Sequence, residues 1–159
     1  MWRALQRKTL SFLRQPRFTQ LWFLPLWMIL GLGKAVIFTV SFRRLAPHLG
    51  TAVGIAPWVP VLVPAQEVRA RQIGRAVQLA ARYTPWESNC FPQAVAARVL
   101  LRLYRIPYAL YLGLMRDPNT GEFKAHAWVA AGRVRVTGGK SFDQFTVVGC
   151  FVAPQLVAG

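Results

Sequence analysis

Two cysteines, two histidines and five acidic residues are all that this chain of 159 residues offers among the side chains that do most protein chemistry. Each shortage removes a class of function. Cys90 and Cys150 are too few for a disulfide framework. Neither a CxxC pair nor a close pair of histidines accompanies them, so a structural zinc site does not fit, and a reducing, cytoplasmic setting is expected. No phosphate loop of the GxxxxGK type occurs. The chain also lacks internal repeats, low-complexity tracts and a small-residue cleavage site that would mark a removable signal peptide.

Against the five acids stand 20 Lys and Arg, a formal charge of +15. Such a field attracts anions, whether nucleic acid, lipid headgroups or an acidic peptide. Here the charge is spread along helical patterns and no recognised nucleic-acid motif appears, so nucleic acid is not the expected partner. Hydrophobic residues make up 54%, above the usual range of about 45–50%. Most of the excess lies in the first third. A basic opening (Arg3, Arg7, Lys8, Arg14, Arg17) leads into LWFLPLWMILGLGKAVIFTVSF, residues 21–42, and Arg43 and Arg44 follow. About 20 apolar residues suffice to span a bilayer. Lys34, near the middle, opposes that at roughly 2.5–3.5 kcal/mol on insertion scales, and Pro25, Gly31 and Gly33 are expected to interrupt the helix. A helical hairpin packed on the domain or on a partner, and peripheral contact with anionic lipid, are the alternatives. The sequence admits all three.

Residues 1–50 therefore form a basic, hydrophobic helical segment, and residues 51–159 the main domain, the two making one compact unit. Residues 50–63, with Gly50, Gly54, Pro57 and Pro60, read as an irregular crossing segment. Pro64 suits a first helical turn. After it Val68, Ile73, Ala76, Val77 and Ala80 share one stripe and Arg71, Arg75, Gln78 and Arg82 another, an amphipathic helix ending near Pro85. A second helix starts at Ser88 or Asn89, which can cap it, and tolerates Pro92 in its first turn. Its inner face is expected at Val95, Val99, Leu103 and Ile106, its wet face at Arg98, Arg102 and Arg105, and Pro107 stops it. Four strand-like runs follow, at 108–114, 123–130, 133–137 and 145–152. Turn signals separate them: DPNTG at 117–121, Ala131-Gly132 and Gly138-Gly139. Helices first and an antiparallel meander afterwards make an α+β fold with the helices segregated from the sheet.

Cys90 falls at the start of the helix that precedes the sheet. Unpaired N–H groups and the positive end of a helix favour negative charge there, on a thiolate or on the oxyanion of a tetrahedral intermediate, and Gln93, one turn along, is placed to assist. His126, in FKAHAWVA, shares a strand face with Trp128. An imidazole on a sheet facing a helix start forms with the thiol the Cys–His pair of nucleophilic catalysis. A cysteine at a helix start is equally a small buried hydrophobe, and a strand histidine equally a structural residue. His48 reads as a surface or packing residue, Cys150 in VVGCFV as core, and Trp86 and Trp128 as walls of the site or core.

YTPWESNCFPQAVAARVLLRLYRIPYALYLGL, followed by FKAHAWV and by VTGG and FTVVGCF, resembles the lasso peptide leader peptidases, the protease portion of the lasso B proteins, within the transglutaminase-like superfamily. The likeness covers roughly residues 40–152. It implies a papain-like or transglutaminase-like fold and hydrolysis of one peptide bond, removing the leader from a ribosomally made precursor peptide. Cys90 then matches the nucleophile and His126 the base. The family triad is completed by an Asp about a dozen residues after the histidine, where this chain has Gly138 within VTGG. Asp143 is the nearest acidic substitute, and a backbone carbonyl or an amide side chain would also serve. The resemblance implies no metal or organic cofactor. It implies as partners the precursor peptide, a separate leader-recognition domain and a macrolactam-forming ATP-dependent cyclase; the basic, hydrophobic character of the N-terminal third suits it as a docking surface for them. An acyltransferase of the transglutaminase type and a non-catalytic scaffold binding peptide or membrane are the other readings.

Overall fold

A computed structural model describes residues 12–139 and 141–156. Arg3, Arg7 and Lys8 of the basic opening lie outside them. The first long element is α1 (Arg17–Thr39), a single helix. The expected interruptions and the hairpin are not found. A proline inside a helix costs about 3 kcal/mol, yet Leu26 and Leu30 are fully buried in the main core, each contributing roughly 1.5–3 kcal/mol. Packing therefore outweighs the local penalty. The two glycines are positions of close approach. A Cβ at Gly31 would come within 2.9 Å of the Trp86 ring, and Gly33 rests against Pro92. The chain reverses after α1 through a one-turn α2 (Phe42–Leu45) and a 3-10 turn, Ala46–His48, in which His48 is exposed.

The crossing segment contains the two-residue β1 (Thr51–Ala52) and is otherwise irregular. Helix α3 (Pro64–Arg82) begins at the expected proline, and the Gln66 side chain accepts a hydrogen bond from the Val63 N–H at 3.2 Å. Ile73, Ala76, Val77 and Ala80 are buried as the periodicity predicts, but Val68 is half exposed, and Ala70 and Gly74 complete the inner face. Helix α4 (Cys90–Leu103) buries Ala94, Ala96, Ala97, Leu100 and Leu101. Leu103, expected inside, is 60% exposed, whereas Ile106 is buried and Val95 and Val99 are partly so. The reason is crowding on three sides. Helix α4 lies among α1, α3 and the sheet, and alanines let all three approach. Arg98, expected wet, is half-buried and donates to the Tyr108 hydroxyl at 3.2 Å, which donates in turn to the Leu49 carbonyl.

The sheet contains β2 (Ala109–Arg116), β3 (Phe123–Ala131), β4 (Val134–Arg135) and β5 (Thr146–Val152), in the order β1-β5-β2-β3-β4. All pairings are antiparallel, but the expected meander is corrected: β5 returns past β3 and pairs with β2. Strand β2 is buried along Ala109, Leu110 and Tyr111, so its backbone groups need partners on both edges. Ala127, Val129 and Ala131 of β3 face the core shared with the helices, while Trp128 and Ala130 join a second cluster with Tyr111, Cys150 and Phe145.

Candidate active site

Asn89 occupies the N-cap of α4, but its side chain makes no capping bond. The Ser88 hydroxyl is hydrogen-bonded to Thr84 Oγ1 at 2.8 Å instead. The backbone N–H groups of Cys90 and Phe91 are thus left without a side-chain cap. Gln93, expected to assist an oxyanion, donates through Nε2 to the Ser88 carbonyl at 2.7 Å and ties down the loop before the cysteine. Cys90 is half-buried at the first position of the helix.

His126 lies on β3 directly opposite Gly113 of β2. A Cβ on Gly113 would meet Phe145 and Trp128 atoms at 2.8 Å, so its absence makes room for the rings. The imidazole stacks on Phe145 (centroids 4.8 Å apart) and on Trp128 (5.8 Å), as the shared strand face predicts. That face is the one turned away from the helices, not toward the start of α4 as expected, because Ala127 and Val129 take the helix side. Its Nε2 is 2.8 Å from the Gly138 carbonyl oxygen. A carbonyl only accepts, so Nε2 carries the hydrogen and Nδ1 keeps the lone pair. This is the tautomer in which Nδ1 can take a proton.

Gly138, at the position where the resembling proteins carry an acid, holds φ at +101°. A side chain there would run into Cα and Cβ of Trp128. The backbone of this chain therefore has no room for an Asp at 138, and what it presents to the histidine is the carbonyl. Asp143 sits in a 3-10 turn, Ser141–Gln144, exposed at the mouth of a neighbouring cavity lined by Tyr111, Trp128 and Phe145. No hydrogen bond joins it to His126. Sequence reasoning had no means of singling out Gly138 as the residue that holds the ring, since a backbone acceptor has no side-chain signature. The missing acid was the only clue.

Cys90 and His126 both line one cavity of about 290 Å³, together with Phe42, Phe91, Leu112 and Val148. Its wall is almost wholly hydrocarbon. No hydrogen bond joins the thiol to the imidazole, and catalytic contacts of this kind commonly tighten only around substrate. Among the described residues no three His, Cys, Asp or Glu side chains converge as a metal site would require. Cys150 is 1% exposed, and burial pushes its thiol up to about 11.

A helix that starts on a cysteine lies against an antiparallel sheet whose histidine-bearing strand borders the same cavity, in an α+β domain. The chain matches the model of the transglutaminase-like superfamily over residues 34–150, well over half its length, and belongs to that family. No curated protein and no solved structure matches it. The matched span includes Cys90, His126, Gly138 and Asp143.

Proposed function

We propose that the chain is a cysteine peptidase that removes the leader from a lasso precursor peptide, with Cys90 as nucleophile and His126 as base. The observation that carries the peptidase reading is the shared cavity of Cys90 and His126, with the imidazole held through Nε2 by the Gly138 carbonyl. The choice of substrate rests on the likeness of the YTPWESNC and FKAHAWV blocks to lasso leader peptidases.

In this mechanism Nδ1 of His126 takes the Cys90 proton as sulfur attacks the scissile carbonyl carbon. The N–H groups at the start of α4 receive the oxyanion. Collapse of the tetrahedral intermediate breaks the C–N bond, and the imidazolium gives its proton to the departing amine. Water, deprotonated by the imidazole, then attacks the thioester, freeing the leader as a carboxylic acid and restoring the thiol. The Gly138 carbonyl does the orienting that a carboxylate does in a triad, without its charge. Asp143 contributes only a longer-range field. The separate recognition domain presents the leader, and the ATP-dependent cyclase closes the macrolactam on the released core.

The test is mass spectrometry of a precursor peptide incubated with this protein and the recognition domain, beside Cys90→Ala. Cleavage at one bond with uptake of one water, absent from the variant, is the expected result. A product carrying an added amine instead of water would make the protein an acyltransferase. Intact precursor, with the leader demonstrably bound by the recognition domain, would leave the scaffold reading, which the unjoined thiol and imidazole favour.

A further inference from the structure

Helix α1 has two faces of opposite fate. One packs on the domain along the whole helix: Trp22 Nε1 donates to the Tyr104 hydroxyl at 2.8 Å near its start, Leu26 and Leu30 enter the core, and Gly33 meets Pro92 near its end. The opposite face carries Leu21, Leu24, Met28 and Leu32, spaced by three and four residues and between 56% and 71% exposed. Ala35 continues the stripe, and Phe38 flanks it. No charged residue stands between Arg17 and Lys34.

At the ends of this stripe the chemistry changes. Arg14 and Arg17 are exposed before it, and Arg43 and Arg44 after it. None of the four has an acidic partner among the described residues, where the ion pairs are Arg71–Glu67 and Lys124–Asp117. No Asp or Glu occurs anywhere before Glu67. An apolar strip about 20 Å long with cations at both ends is complementary to a bilayer surface, acyl chains against the strip and anionic headgroups against the guanidinium groups.

We infer that the outer face of α1 docks the protein onto an anionic lipid surface, with the helix lying in the plane of the membrane. By length and composition the helix could cross a bilayer. Its packing rules that orientation out, because α3 and α4, held against it, would carry the exposed Arg71, Arg75, Arg82 and Arg102 into hydrocarbon. The surface also leads to the candidate active site. Two apolar hollows, one beside Leu32 and Val36 and one beside Ile37 and Val40, share Leu45 and Phe91 as walls, and Phe91 and Phe42 continue into the cavity of Cys90. Docking thus places that cavity close to the lipid surface. The inference does not depend on what Cys90 does.

The experiment is flotation of the full chain with vesicles of phosphatidylcholine alone and of phosphatidylcholine with phosphatidylglycerol. The wild type floats with the anionic vesicles and is released by salt. The double variant Leu24→Glu/Met28→Glu, at exposed positions and with an unchanged melting curve, loses at least about a hundredfold in partitioning. Arg43→Ala/Arg44→Ala loses roughly thirtyfold at low salt. Equal binding of wild type and Leu24→Glu/Met28→Glu would overturn the inference. So would resistance of the bound protein to alkaline carbonate, the mark of a spanning helix. A soluble wild type whose dimer, or whose complex with the recognition domain, is dissolved by the glutamates would assign the face to a protein instead.

Discussion

The two cysteines occupy opposite kinds of place. Cys90 opens a helix beside a cavity, half-buried, next to N–H groups with no side-chain cap. Cys150 lies mid-strand on β5, opposite Tyr111 of β2, in a region where Tyr111 donates to the Trp58 carbonyl and burial raises both the tyrosine and the thiol above their ordinary pKa values. On the proposed reading the same atom is a reagent at one address and packing at the other. The difference lies in the backbone. A helix start leaves donors unmatched, whereas the interior of a sheet matches them all and closes over the side chain.

The largest effect that can break this contrast is catalytic. Cys90→Ala should lower precursor cleavage by more than about a thousandfold, while Cys150→Ala should leave the rate within a few-fold and cost roughly 1 kcal/mol in stability. A comparable loss in both, measured on folded protein, would erase the distinction. Alkylation with iodoacetamide sharpens it without a substrate. Near neutral pH Cys90 should label at least about a hundredfold faster than Cys150, since a buried thiol with a value of about 11 is almost wholly protonated and unreachable. Labelling of Cys150 should appear only as the protein unfolds, followed by mass spectrometry of the digested protein.

Gly138→Asp is the next test, because it restores the acid that the resembling proteins carry. Sequence comparison alone expects a gain. The structure expects a loss: the left-handed backbone and the collision with Trp128 should cost about 1–3 kcal/mol in melting stability. Displacing the carbonyl from Nε2 of His126 should lower cleavage at least about tenfold. A faster enzyme would show that the carbonyl is a poor substitute which the backbone can yield.

These cases also mark how far the sequence was legible. The start of α3 at Pro64, the cysteine at the first position of α4, the paired faces of His126 and Trp128 and the DPNTG turn were all readable, because each rests on local geometry or on a periodicity. The failures have a common cause in contacts between distant parts of the chain. Gly31 and Gly33 read as breaks because their partners, Trp86 and Pro92, lie more than 50 residues away, and Pro25 because the core that holds Leu26 and Leu30 is built from later elements. Leu103 read as buried because nothing local reveals that alanines bring three layers onto α4. The placement of β5 beside β2 is a choice among equally suitable edges. At the candidate site, the elements that carry Cys90 and His126 were legible, but the sheet face that the imidazole takes and the Gly138 carbonyl that holds it were not.

The smallest expected effect concerns the hairpin that joins the two cysteine environments. Strand β2 pairs with Cys150 at Tyr111 and with His126 at Gly113, and its far end is fastened by Asp117. That carboxylate pairs with Lys124 Nζ and accepts from the N–H groups of Asn119 at 2.9 Å and Thr120 at 3.4 Å. The Lys124 bond first, then the Asn119 amide, hold its pKa below the ordinary carboxylate value. A depressed folded value means stabilisation that is complete above the unfolded value, about 3.9, and lost as pH falls through the folded one. Asp117→Asn keeps an acceptor for the turn and loses the ion pair. Its melting temperature should therefore fall slightly at neutral pH and converge with the wild type in acid. Amide exchange should rise at Leu114–Arg116 and Phe123–Ala125, which flank His126, and stay unchanged at Cys150 and Phe151. An offset that persists in acid would remove the ion pair from the account. Faster exchange reaching Cys150 would show the two environments to be one cooperative unit, so that a substitution at the distal turn could not separate the reagent from the packing.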